Sequence, residues 1–302
     1  MLRLISPPER LTAMLRRHPA TLRRLAYVRH HHRLPNLRNP RTFTEKVNWR
    51  ILHDHRDILR ISCDKLSMRE HAQTHGPREL RFPKLYWTGT DLDDLSFADL
   101  PRRWVLKPNH RSGLVYLGHG EVNVEYLEHL TQGWLRSYEW DRLAEWAYKH
   151  AEPKLIVEEQ LSDPPPMDYK VFVFDGRAQF VQTHADRFTL QRHRFYTRDW
   201  EPLPCTLKHP LATPVSAPAE LEQLLGTAEQ LGAEFDFMRV DLYLIEGEVY
   251  FSEYTPYPGG GLRPFNPRWC DTYLGECWQL PPDLHPHQAA GGRRRFKLGA
   301  RS

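Results

Sequence analysis

Arg239-Val240-Asp241-Leu242-Tyr243, followed twelve residues past Asp241 by Glu253-Tyr254-Thr255-Pro256-Tyr257-Pro258-Gly259, is the stretch that decides the fold. Both halves read as strands, and each carries one acid. An arginine precedes the first acid and a Pro-Gly turn follows the second. Mg²⁺ takes oxygen ligands in octahedral geometry and keeps contacts to substrate phosphates. Two converging carboxylates can therefore hold such a cation against a phosphate chain. Side chains alternate faces along a strand, so register decides whether the acids meet. A two-residue turn at Glu246-Gly247 sets Asp241 opposite Ser252 and points Glu253 away. A three-residue loop, Glu246-Gly247-Glu248, sets Asp241 opposite Glu253. The odd-length loop is the expectation, with Gly247 supplying the left-handed conformation. An ordinary hairpin with two solvated acids fits the same residues.

Working outward, the chain has 302 residues, 40% hydrophobic and 12% aromatic, enough for a sizeable core in one large domain or two ordinary ones. The formal charge is a mild +4, but the first 41 residues hold ten arginines and one acid, Glu9, and Arg293, Arg294, Arg295, Lys297 and Arg301 crowd the end. Such ends suit an anionic neighbour, a membrane surface or a polyanionic substrate, or are simply solvated. No run approaches the roughly 18 apolar residues that cross a bilayer, and the start lacks a signal peptide's apolar segment. Cys63, Cys205, Cys270 and Cys277 match no zinc ribbon and no disulfide framework, which implies a reducing compartment. The expected location is cytoplasmic, with peripheral membrane contact through the basic ends.

Residues 1–35 read as short basic helices, and His30-His31-His32 as basic surface. Thr42 with Glu45 predicts a capped helix, and Asp64 caps another that stops near Gly76. Strands are expected at 104–107, 154–159, 169–174 and 178–182, the last two joined at Asp175-Gly176. Residues 123–149 and 218–235 read as helices, the second with Pro218 at its first position. Trp134, Tyr138, Trp140, Trp146 and Tyr148 read as helical core rather than sugar-stacking rings. The expected organisation is a basic, mainly helical region over 1–81, a core over 82–285 and a flexible basic tail over 286–302. No internal repeat is present.

Other segments carry candidate chemistry. Lys107 ends an apolar strand and meets a loop with Ser112 and Gly113, where a lysine neutralises phosphate as a point charge and loop N–H groups close over it. Lys65 sits in the first turn of its helix. Glu158 lies near the end of another apolar strand and Asp168 follows it; a carboxylate accepts both ribose hydroxyls, and a strand edge pairs with adenine. No general base for an alcohol stands out among His110, His184 and His193.

The order of these pieces resembles the ATP-grasp fold, and more closely its TupA-like branch, associated with teichuronopeptide and other surface-polysaccharide synthesis. The supporting residues are Thr42-Phe43-Thr44-Glu45-Lys46, Asp64-Lys65, Leu106-Lys107-Pro108-Asn109-His110, Val157-Glu158-Glu159, Asp168-Tyr169-Lys170 and Arg239-Val240-Asp241-Leu242-Tyr243, and the likeness runs from about residue 38 to 280. It implies an α+β fold with ATP and Mg²⁺ as cofactors. Lys65, Lys107, Ser112 and Gly113 would contact phosphates, Glu158, Glu159 and Leu161 the adenine, and Asp168 the ribose. Asp241, Glu253 and Thr255 would bind metal, and Arg239 would stabilise the acyl-phosphate. Gly259 would place N–H groups near the second substrate, with Lys170 and Arg194 as further phosphate contacts. The family usually has asparagine where Thr255 stands, which leaves the number of metal ions open. The implied activity is an ATP-dependent ligase that joins a carboxylate, such as a uronic acid or amino acid, to a nucleophilic acceptor. The alternatives are a sugar kinase, a glycosyltransferase or a nucleotide-binding protein without chemistry. No nucleic-acid partner is expected.

Overall fold

The computed structural model describes residues 18–136, 140, 143–185, 192–207 and 209–284. Residues 1–17 of the basic N-terminal region, the C-terminal tail and Tyr138 lie outside these residues. Helices α1 (Pro19–His31), α2 (Phe43–His53), α3 (Ile58–Ile61) and α4 (Lys65–His75) come first. Strands β1 (Leu85–Gly89), β2 (Arg103–Pro108), β3 (Tyr116–His119) and β4 (Leu155–Glu159) follow, with α5 (Val124–Thr131) between β3 and β4. Next come β5 (Asp168–Phe174), β6 (Arg177–Ala185), β7 (Arg192–Thr197) and β8 (Pro202–Leu203). The described chain closes with α6 (Leu221–Gly232), β9 (Phe237–Ile245), β10 (Glu248–Thr255) and α7 (Trp269–Cys277).

Two antiparallel sheets result, a small one in the order β1-β4-β2-β3 and a large one in the order β10-β9-β5-β6-β7-β8. The helix starts follow local chemistry. Thr42 and Glu45 form a complete capping box, and the Asp64 carboxylate accepts from Ser67 N–H at 2.9 Å. The β5–β6 turn places Asp175 (φ 48°) and Gly176 (φ 72°) in left-handed conformations, as a two-residue hairpin needs.

One face of β5 carries Val171 and Val173 and packs on α6, where Gly232 allows close approach: a Cβ there would lie 2.7 Å from Val173. The opposite face is divided. Its far end is aromatic, with Phe172, Phe174 and Phe237 packed around Phe43 of α2 and, for Phe237, Trp278 after α7. Its near end carries Asp168 and Lys170. Side chains of α2 and α4 share the large-sheet core, whereas Trp104, Leu106, Leu127, Trp134, Leu155 and Val157 form a second cluster on the small sheet.

Four expectations change. The 123–149 helix ends at Thr131, and Gly133 follows at φ 83°. Trp134 is nonetheless core, and Trp146 and Tyr148 pack on the larger cluster. The 218–235 helix starts at Leu221, because Pro218 instead gives its carbonyl to Leu221 N–H in the turn before it. Basic residues of α1 are not all surface. Arg23 is buried and donates to Asn48 Oδ1 at 2.9 Å and to the Gly260 carbonyl, and His31 stacks on Tyr27 at 3.8 Å. Cys205 and Cys270, 65 residues apart, are disulfide-bonded, which removes the ground for reading a reducing compartment from the cysteines. Sequence spacing missed this pair because a single bridge between distant segments has no local signature. Among the described residues no helix is long and apolar enough to cross a membrane.

Gly259, Gly260 and Gly261 run consecutively at φ 57°, 59° and 61°. A Cβ on Gly261 would lie 2.5 Å from Asn48 Nδ2 and 2.8 Å from the Thr44 carbonyl. Gly261→Ala therefore combines left-handed strain with a backbone clash and is expected to cost about 2–4 kcal/mol in chemical denaturation. Gly113→Ala meets nothing within 4 Å and bears only the conformational cost of φ 74°.

Candidate functional site

The β9–β10 hairpin turns on two residues, Glu246 (φ 51°) and Gly247 (φ 81°), with Ile245 paired to Glu248. The expected three-residue loop is thus replaced by a tight turn. That turn alone would oppose Asp241 to Ser252. A bulge between Phe251 and Glu253 inserts one extra residue, so Asp241 pairs with Glu253 and Arg239 with Thr255. The acids meet as expected, but the offset is made in the strand rather than in the loop.

Asp241 is fully buried. Arg239, two residues earlier on the same face, donates from Nε and Nη2 to its two carboxylate oxygens, each at 2.6 Å. Lys170 lies directly across on β5 and donates to Asp241 Oδ2 at 2.5 Å, with Asp168 3.7 Å away. Arg239 Nη2 also donates to Thr255 Oγ1 at 2.8 Å and lies 3.6 Å from Glu253 Oε1. One guanidinium touching all three groups places Asp241, Glu253 and Thr255 on one face. Burial pushes the Asp241 carboxyl up, but Arg239 and Lys170 outweigh it and hold it below the usual carboxylate value. The Glu253 side chain is 33% exposed, so the cluster opens to solvent on that side.

The row continues onto residues that sequence reasoning did not assign. Gln182 on β6 pairs with Lys170, and His184 pairs with Asp168 and, on its other side, with His193 of β7. The two imidazoles stack at 3.8 Å, and Gln182 Nε2 lies 3.1 Å from His193 Nδ1. Burial first, then the charges of His209, Lys170 and Arg239, lowers His193 to about 4. The strand alternation of 180–184 could have placed Gln182 and His184 on one face, but only the pairing sets them beside Lys170. Arg194 does not join them. It faces the other way on β7 and donates to the Ala212 carbonyl at 2.7 Å.

The small sheet brings the other candidates to the edge of the large one. Lys107 Nζ pairs with Glu158 across β2 and β4. Lys65 Nζ donates to the Arg111 carbonyl at 2.6 Å, and the Asn109 side chain bonds Leu66 N–H and the Asp64 carboxylate. The root of the 109–115 loop is therefore clamped to the start of α4, while Ser112 and Gly113 stand exposed at its tip. Lys65, Lys107 and Glu158 line one cleft together with Tyr243 and Ser252, the neighbours of Asp241 and Glu253. Glu159 is tied to residue 84: its N–H donates to the Lys84 carbonyl at 2.8 Å, and its carboxylate accepts from Lys84 N–H at 3.0 Å. Leu161 is half-buried just beyond β4. Gly259 lies in the left-handed glycine run, whose Gly260 and Gly261 carbonyls accept from Arg23 and Asn48.

The face thus offers hard oxygen donors beside fixed cations, a donor set suited to a divalent ion and a phosphate chain. The profile of the family described as TupA-like ATPgrasp matches residues 45–279. No curated protein matches the chain. Among solved structures, the D-alanine–D-alanine ligase from Bacillus anthracis complexed with ATP is 17% identical, with a TM-score of 0.40 over 65% of this chain and 54% of that one. The VanG D-Ala:D-Ser ligase from Enterococcus faecalis is 16% identical, with a TM-score of 0.41 over 65% and 52%. An L-amino acid ligase from Bacillus licheniformis is 16% identical, with a TM-score of 0.38 over 66% and 41%. The chain spans about half the length of the solved ligases it matches.

Two buried histidines make the fold sensitive to mild acid. His193 and His31 both sit near 4 in the folded chain, below the ordinary 6.5, first through burial. Between those values the unfolded chain binds protons that the folded chain does not, so stability falls as pH drops from about 6.5 to 4. Melting temperature is expected to decline through that window, and His193→Gln is expected to flatten the decline.

Proposed function

The chain belongs to the TupA-like ATP-grasp family, and we propose that it is an ATP- and Mg²⁺-dependent ligase joining a carboxylate to a nucleophile such as an amine. The observation that carries this reading is the single face on which Arg239 touches Asp241, Glu253 and Thr255 while Lys170 pairs with Asp241. Asp241, Glu253 and Thr255 offer the oxygens that would hold Mg²⁺, and the bound ion would neutralise phosphate charge.

In the proposed reaction a substrate carboxylate oxygen attacks the γ-phosphorus and ADP leaves. The amine then attacks the acyl carbon and expels phosphate, losing a proton as the amide forms. The protein contributes position and fixed charge. Lys107 exchanges Glu158 for a phosphate oxygen, and Lys65 anchors the loop whose Ser112 and Gly113 N–H groups cover the phosphates. Glu158, Glu159 and Leu161 stand beside the base. Asp168 keeps the Lys170 ammonium oriented, and Arg239 meets charge on the acyl-phosphate. Gly259, the exposed member of the left-handed run, would present its N–H to the acceptor. A surface glycan is the setting we propose, from the resemblance to the TupA-like branch alone, with a uronic acid or amino acid as the carboxylate. Dependence on ATP favours the cytoplasm, with the basic ends as the membrane contact.

Asp241 is a poor test residue, because removing it strands two buried cations at about 3–5 kcal/mol. Lys107 and Glu253 are more accessible. Mg-ATP at 100 times its Kd is expected to stabilise the protein by about 2.7 kcal/mol. Lys107→Met and Glu253→Gln should each remove most of that gain, and unchanged thermal shifts in both would refute the site. Assays over carboxylates and amines are expected to release ADP and phosphate together. ADP with a phosphorylated product would indicate a kinase, and UDP release a glycosyltransferase.

A further inference from the structure

On the opposite face of β10 from Glu253, α4 carries His71 and His75 one turn apart. Residues four apart on a helix share a face, and the two imidazoles stack with centroids 4.1 Å apart and planes 17° off parallel. Glu234, in the connection between α6 and β9, closes the group. Its Oε2 lies 3.0 Å from His71 Nε2 and 3.7 Å from His75 Nε2. One donor atom from each of the three residues lies within 4.8 Å of the others. Bonds of about 2.0–2.1 Å around a tetrahedral ion put ligand atoms about 3.3 Å apart, so small side-chain shifts would suffice.

The atoms behind these donors make the group more than a surface ion pair. His71 Nδ1 lies 3.1 Å from the Tyr254 hydroxyl, and His75 Nδ1 lies 3.0 Å from the His71 carbonyl. Each imidazole is thus held through Nδ1, which leaves both Nε2 atoms aimed at Glu234. Metal-binding histidines are oriented in this way, with the second nitrogen engaged by an outer partner. Gln230 Nε2 donates to the His75 carbonyl at 3.0 Å and steadies the helix end on which the pair sits. His71 is mostly covered, whereas His75 and Glu234 are open to solvent, so an ion has both a wall and an entry.

We propose that His71, His75 and Glu234 form a binding site for a divalent transition metal of the zinc class, with a fourth position open to water. Two imidazoles and one carboxylate favour Zn²⁺, Co²⁺, Ni²⁺ or Cu²⁺ over Mg²⁺ and Ca²⁺, which take oxygen sets. The site is separate from the proposed Mg²⁺ face and stands whether or not the ligase reading holds. Its effect is a clamp. It ties the C-terminal end of α4 to the connection entering β9 and, through Tyr254, to β10. Lys65 is at the other end of the same helix, and Tyr254 lies between Glu253 and Thr255.

The test is titration of the untagged full chain with zinc sulfate, followed by calorimetry, thermal shift and the visible spectrum of the Co²⁺-loaded protein. The expected result is one ion per chain, a higher melting temperature and a tetrahedral Co²⁺ band. His75→Gln and Glu234→Gln, both exposed, should retain the fold and lose all three signals. Tyr254→Phe removes only the hydroxyl behind His71 and is expected to weaken binding about 10-fold. His119→Gln, a control on another surface, should change nothing. Absence of a zinc-dependent shift in the wild type, or an unchanged shift in both His75→Gln and Glu234→Gln, would overturn the proposal.

Discussion

A carboxylate taken out of water must be met by cations, and Asp241 sets this requirement for the whole site. Its desolvation would cost several kcal/mol if unpaired. Arg239 and Lys170 supply the partners. One follows from alternation along a strand and the other from register. Arg239 reaches Asp241 because side chains two apart share a strand face, and Lys170 reaches it because β5 and β9 pair at those residues. A slip of one residue in the β5–β9 pairing would turn Lys170 away from Asp241 and onto the apolar side. The bulge at Ser252 brings Glu253 and Thr255 into the same group. The cluster that makes the face chemically useful thereby also fixes the alignment of the central strands.

The rest of the fold leaves that face open on its Glu253 side. Phe43 and Trp278 cover the aromatic half of the large sheet, and Arg50 reinforces the cover by donating to Asp236 at 2.6 Å and to the Phe237 carbonyl at 2.8 Å. The charged half is left for the small sheet, whose Lys107 and Glu158 meet the edge of β10. Arg23 and Asn48 hold the glycine run beyond β10 in its left-handed path. The Cys205–Cys270 bond joins the segment after β8 to α7.

What the sequence revealed was local chemistry and the order of motifs. Thr42 with Glu45, Asp64 before α4 and Asp175-Gly176 are readable because each acts on residues a few places away. The family was readable because several loose motifs recur in one order. The convergence of Asp241 and Glu253 was also readable, but the means was not. Nothing in Phe251-Ser252-Glu253 marks a bulge, since a bulge is settled by what the strand must align with. The same reason hid the buried Arg23, whose partners lie at 48, 143 and 260, and the histidine stack across β6 and β7. Residues 71, 75 and 234 went unnoticed because the third member is far along the chain and the packing of α4 beside the end of α6 brings it near.

The most direct measurement is a crystal structure of the protein with Mn²⁺ and ADP, read through the anomalous signal of the manganese. The account predicts a manganese peak between the carboxyl groups of Asp241 and Glu253, with Lys107 turned from Glu158 to a phosphate oxygen. Nucleotide bound elsewhere, or bound in the cleft with the metal away from both carboxylates, would contradict it.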